Sequence, residues 1–283
     1  MIRPQRLEAL DHSPETVRRL TPVRRLWYAA YGSNMHAERL ACYLAGGRPP
    51  GGLRTHPGCR DPRPPARTTP VMLPGLLYFA TESRVWTGGR AFYDPGPGTG
   101  PEPEPGPGPD ADLDSDLDLD RAPGGGAAGR RSGGPTGRGH GDGDAAGRLR
   151  PGRTELPAQS YFLTLPQFSD IAAQEMYREP GRDLDLTEVL TRGRARTGPG
   201  RYETLVCAGL LDGYPVLTFT SPWSSQDIAL NPPSAAYLRH IAAGIVASHG
   251  WSAHRTAEYL AGCPGAEGHW TAAEIAVLLG DPR

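Results

Sequence analysis

The sequence predicts an α+β domain, and three features carry that expectation. Leu26–Gly47 reads as a strand, a turn and a helix; Thr204–Thr220 reads as a β-hairpin; and helix-opening capping boxes stand at Thr164 and Thr271. The chain has 283 residues and 37% hydrophobic content, enough for one real core but low for a fully ordered chain of that length.

Residues 1–22 are polar, with Pro14 and Pro22, and read as a flexible leader with a short helix near Glu15–Leu20. Leu26–Tyr31 is aromatic-rich and too short for a helix before Gly32, hence a strand. Beyond Gly32-Ser33-Asn34, Ala37, Leu40, Ala41 and Leu44 form a helical apolar stripe, stopped at Gly46-Gly47. Residues 48–74 read as a Pro/Arg-rich connection. Strands are expected over Leu76–Ala80 and Val85–Tyr93; Gly88-Gly89 within the second marks a bulge or a close approach of another backbone or a ligand.

Residues 94–153 nearly lack large apolar side chains and cannot offset the entropy of ordering, so a low-complexity disordered insertion is expected there. Its acidic run is no calcium loop. Counting from Asp112, Leu117 stands where the turn needs Gly and Pro123 where a Glu is required. Order is expected to resume with a strand over Ser160–Leu163. A helix follows from Thr164, with Gln167 closing the capping box and Pro180-Gly181 as the stop. The hairpin turns at Asp212-Gly213. Ser234 caps a helix whose Tyr237, Ile241 and Ile245 share one face, and two short helices follow near His254–Ala261 and from Thr271. The domain is thus expected over 23–93 and 154–248, with 249–283 as a C-terminal helical extension.

A net charge of -1 and a pI near 6.7 give no electrostatic footprint for nucleic acid or an anionic membrane, so neither partner is expected. The absence of lysine reads as codon bias. Cys42, Cys59, Cys207 and Cys263 lack C-x-x-C pairing, and no apolar run near the amino end suits a signal peptide or a membrane span. The expected compartment is a reducing cytoplasm. No histidine shows H-E-x-x-H or zinc-finger spacing, so no metal site is expected.

Two places carry candidate chemistry. Glu175 falls seven residues after Phe168, on the stripe of Phe168, Ile171 and Ala172, so a carboxylate occupies a face that otherwise turns inward. Burial disfavours a carboxylate's charged form and suits it to proton transfer near neutral pH. A small rotation placing Met176 in the core would instead leave Glu175 at a solvated edge. The turn Gly32-Ser33-Asn34 enters a helix amino end, where free N–H groups favour a carboxylate or oxyanion; simple N-capping by Ser33 or Asn34 explains the same residues. Ser33 lacks the G-x-S-x-G setting of a hydrolase nucleophile, and Cys207, within an apolar strand, reads as core.

In this order, Tyr31-Gly32-Ser33-Asn34-Met35, Trp86-x-Gly88-Gly89, Gln174-Glu175 and Pro233-Ser234-x-x-Tyr237-x-x-x-Ile241-x-x-Gly244 resemble the gamma-glutamyl cyclotransferase family. The resemblance covers about residues 26–93 and 156–248. It implies a small mixed β-barrel with surrounding helices and a small-molecule gamma-glutamyl substrate bound by Tyr31, Gly32, Ser33, Asn34 and Met35. Glu175 then matches the catalytic general base and acid, 5-oxoproline and a free amine are the products, and no cofactor is needed. A non-catalytic metabolite-binding module and an amide hydrolase are the alternatives. Met176-Tyr177-Arg178-Glu179 stand where the family usually has Gly and a small-residue turn, and Glu179 is the alternative base one turn on.

Overall fold

The computed structural model describes residues 3–49, 54–83, 85–96 and 155–280. From residue 97 on, the expected insertion and its acidic run lie outside the described residues. The strands are β1 (Arg25–Ala30), β2 (Arg67–Pro74), β3 (Leu76–Ala80), β4 (Arg90–Asp94), β5 (Glu155–Thr164), β6 (Arg194–Arg196), β7 (Thr204–Leu211) and β8 (Tyr214–Thr220). The helices are α1 (Pro14–Leu20), α2 (Ala37–Ala45), α3 (Leu165–Glu175), α4 (Thr187–Arg192), α5 (Ala235–His249), α6 (Ala253–Ala261) and α7 (Ala272–Leu278), and a 3-10 turn covers Ser33–Met35.

Six strands form one mixed sheet in the order β2-β5-β1-β8-β7-β6; β1 runs antiparallel to β5 and parallel to β8. Alternation along β1 explains why both faces are covered. Trp27, Ala29 and Tyr31 enter a core shared with α5, α6 and α7, while Leu26, Tyr28 and Ala30 enter one shared with α2, α3 and α4.

The expected barrel is not there: the sheet is open, and β3 and β4 form a separate two-stranded sheet. A side chain joins the two sheets. Thr220 Oγ1, at the end of β8, accepts from the Tyr93 N–H at 3.0 Å and donates to the Tyr93 carbonyl at 2.7 Å.

Other differences have equally local causes. β2 lies in the stretch read as a connection; Pro70 and Pro74 disguise it, and they are tolerated because β2 ladders only with β5 and sits at the sheet edge. The strand expected from Val85 starts only at Arg90, since Thr87 (φ 57°) and Gly88 (φ 68°) make a turn. Residues 3–12 of the expected leader reach two strands of the sheet: the Gln5 N–H donates to the Pro70 carbonyl of β2, and Glu8 pairs with Leu210 of β7. Residues of the C-terminal segment, Ala257, Leu260 and Ile275 among them, are fully buried in the core facing α5. Among the described residues no helix is long and apolar enough to cross a membrane.

The close approach expected at Gly88-Gly89 is made by residues 231–233. The Gly89 N–H donates to the Pro232 carbonyl at 2.8 Å, and a Cβ on Gly89 would stand 1.9 Å from the Asn231 carbonyl oxygen. Gly89→Ala is therefore expected to lower stability by about 1–3 kcal/mol through forced backbone movement. Chemical denaturation measures it, and an unchanged midpoint would contradict the contact.

Candidate active site

Sequence chemistry places Glu175 at the end of α3. Thr164 and Gln167 form the full capping box at the start, and Phe168, Ile171 and Ala172 are completely buried. The helix stops at Glu175 because Tyr177 takes a left-handed conformation (φ 56°), so Met176–Glu179 do not extend it. Arg54 secures that end: Nη1 donates to the Gln174 carbonyl at 3.2 Å, and the guanidinium lies 4.6 Å from the Tyr177 ring centroid. Glu175 is half-buried, whereas Glu179 is exposed.

Inside the 3-10 turn the Met35 N–H returns to the Gly32 carbonyl at 3.1 Å, and the His36 N–H to the Ser33 carbonyl at 3.4 Å. The Met35 amide thus serves the turn and its side chain is buried, while the N–H groups of Gly32, Ser33 and Asn34 lie outside the turn's own bonds. Neither Ser33 nor Asn34 caps α2, whose N-cap is His36 without a side-chain bond. Tyr31 points away, donating its hydroxyl to the Phe219 carbonyl at 2.9 Å. The expected binding residues therefore divide: Gly32, Ser33 and Asn34 stand at the site, and Tyr31 and Met35 anchor the turn from below.

The two halves meet. Asn34 Nδ2 donates to Glu175 Oε1 at 2.7 Å, across 141 residues of sequence, and lies 3.3 Å from the Tyr28 hydroxyl. A carboxylate can only accept here, so Nδ2 is the atom that faces it; Asn34 Oδ1 is left buried without a hydrogen-bond partner.

Around this pair stand phenols that the sequence reading missed. Burial first, then the Glu175 charge, push Tyr28 and Tyr43 well above the usual tyrosine range. Burial does the same for Tyr202 and takes Tyr237 up to about 12. All four stay protonated at neutral pH, and the Tyr202 hydroxyl donates to the Ala91 carbonyl at 3.3 Å. Tyr43 shares the buried face of α2 with Leu40 and Leu44, whereas Ala37 and Ala41 of the expected stripe are exposed. Arg39, one helical turn before Tyr43, carries the positive charge, and the i, i+4 spacing of that pair was the available signal.

Stacked rings support the turn from behind. His36 and His240 lie 4.1 Å apart, with Trp86 5.0 Å from His240 and 5.3 Å from Tyr237. His36 Nε2 donates to the His240 carbonyl at 2.7 Å, and His240 Nε2 to the Ser33 carbonyl at 3.3 Å. Gly244 permits this contact, since a Cβ there would sit 2.9 Å from Met35 Cβ.

Burial lowers His56, His240 and His249 to about 4, with positive neighbours adding to the effect at each. Between about pH 6.5 and 4 the unfolded chain therefore binds more protons at these positions than the folded one, and stability falls as pH drops through that window. Melting curves from about pH 7.5 to 5 should show the decline; replacing His56 or His240 by Gln should flatten it.

Cys207 is buried with its thiol pushed up to about 12, as fits a core residue. Among the described residues no three His, Cys, Asp or Glu side chains gather as a metal site. An open cleft of about 460 Å3 near Arg24, Asp61, Arg63 and Asp183 contains neither Glu175 nor any residue of the turn.

No protein-family profile matches the chain. Histone deacetylase 5 of Arabidopsis thaliana is 26% identical over 237 residues, covering 78% of this chain and 28% of that protein. The chain thus spans less than a third of that relative's length. A solved gamma-glutamyl cyclotransferase aligns at 13% identity over 91% of this chain and 99% of its own, with a TM-score of 0.32.

Proposed function

We propose that the chain is a gamma-glutamyl cyclotransferase-like enzyme. The observation that supports this most is the 2.7 Å contact of Glu175 with Asn34, which sets a carboxylate beside a turn whose N–H groups at Gly32, Ser33 and Asn34 are not used by the turn itself. A general base beside a cluster of oxyanion donors is what internal aminolysis needs.

In this reading the turn holds the gamma-glutamyl group. The substrate's α-amine nitrogen attacks its own side-chain carbonyl carbon, and Glu175 accepts a proton from that nitrogen. The tetrahedral oxygen draws on the turn's N–H groups. Glu175 returns the proton to the leaving nitrogen as the amide bond breaks, giving 5-oxoproline and a free amine. Proton count balances with no co-reactant. The four free thiols support a reducing, cytoplasmic setting.

The test is incubation with a panel of gamma-glutamyl amines, amino acids and peptides, followed by mass spectrometry. Release of 5-oxoproline is expected. Free glutamate would mark an amide hydrolase, and saturable binding without product a binding module.

A further inference from the structure

Among the described residues no ion pair answers the charge of Arg39. It is the third residue of α2, directly after the turn, and its guanidinium carbon lies 5.9 Å from the Tyr43 ring centroid. Its Nε is buried and has no hydrogen-bond partner. Among the described residues no carboxylate reaches ion-pair distance of it; Glu175 acts on it only from farther off. Burial works against the charge, but Tyr43 and the Glu175 carboxylate outweigh it, so the guanidinium is held above its ordinary range and stays charged. Arginine does not escape such a position by deprotonating, so the buried Nε stays a donor without an acceptor until a ligand supplies one.

Glu175 thus has two unsatisfied groups of opposite polarity near it: a donor on Arg39 and an acceptor, the buried Asn34 Oδ1. An α-amino acid head presents the complement of both, an ammonium and a carboxylate.

We propose that Arg39 binds the α-carboxylate of the substrate, which makes a free α-carboxylate a requirement for productive binding. This rests on the cyclotransferase reading and adds the specificity residue to it. The carboxylate accepts from the guanidinium, the α-amine lies toward Asn34 Oδ1 and Glu175, and the gamma-carbonyl reaches the turn. An analogue with an α-carboxamide would leave the arginine unanswered and add an unneeded donor.

The test compares one gamma-glutamyl substrate with its α-carboxamide analogue, in the wild type, Arg39→Gln and Arg39→Lys. The wild type is expected to prefer the carboxylate in kcat/KM. Arg39→Gln should lose about 30- to 100-fold on the carboxylate substrate, mostly through KM, the effect of removing one charge-assisted hydrogen-bond pair. It should change little on the carboxamide, with Arg39→Lys in between. Circular dichroism checks that the variants fold.

Equal wild-type turnover of both substrates would overturn the assignment of Arg39 while leaving the cyclotransferase reading intact. If no turnover occurs, calorimetry with 5-oxoproline and its carboxamide decides. Binding of 5-oxoproline alone, lost in Arg39→Gln, upholds the assignment; binding of neither, or of both equally, overturns it.

Discussion

Glu175→Gln is expected to cut 5-oxoproline release about 10²- to 10⁴-fold, the usual contribution of a positioned general base and acid. The substitution isolates proton transfer. A glutamine amide in that place keeps an acceptor oxygen for Asn34 Nδ2, which in the wild type donates to Oε1 at 2.7 Å, so turn and helix end stay joined. KM should change little while kcat falls. Glu179→Gln is the control, because Glu179 is exposed and no hydrogen bond ties it to the turn. Near-wild-type release by Glu175→Gln would remove Glu175 from the mechanism.

Phe168→Ala is expected to cost about 3–5 kcal/mol of folding stability. The ring is completely buried and lies 5.8 Å from the Tyr28 ring and 6.2 Å from that of Phe219, joining α3 to the sheet. Its loss leaves a cavity beneath the helix that carries Glu175, so weaker substrate binding should accompany the lower denaturation midpoint. A loss under about 1 kcal/mol would mean the site refills by collapse, contrary to close packing.

What could be read from sequence was local. Asp212 and Gly213 both take positive φ, 52° and 76°, and join β7 to β8 as the dipeptide alone predicts. The boxes at Thr164 and Thr271 fix the starts of α3 and α7 to the residue. Gly88-Gly89 correctly announced a backbone passing close, though not that the glycines lie in a turn ahead of β4.

What stayed hidden depends on partners far along the chain. β2 was invisible because an edge strand tolerates the prolines that argue against any strand. The barrel was inferred from resemblance, whereas the sheet is open between β2 and β6 and β3 and β4 form a sheet of their own, joined to the end of β8 through the Thr220 side chain. In α2 periodicity selected Ala41, yet Tyr43 is buried because Glu175 and Gln174 arrive from α3; Gln174 Nε2 donates to the Tyr43 carbonyl at 3.0 Å. Periodicity finds a face and cannot say what that face meets. The tyrosines around Glu175 and the unanswered Arg39 come from four separate segments, and only folding puts them together.

One measurement tests the central claim, that Glu175 and the turn drive attack by the substrate's own amine. The protein is incubated with a gamma-glutamyl substrate in water enriched in heavy oxygen, and the acid product is weighed. Internal attack predicts 5-oxoproline whose ring carbonyl oxygen comes from the substrate, with no heavy oxygen. Free glutamate carrying one heavy oxygen in its side-chain carboxylate would contradict it, because water, not the amine, would then be the nucleophile.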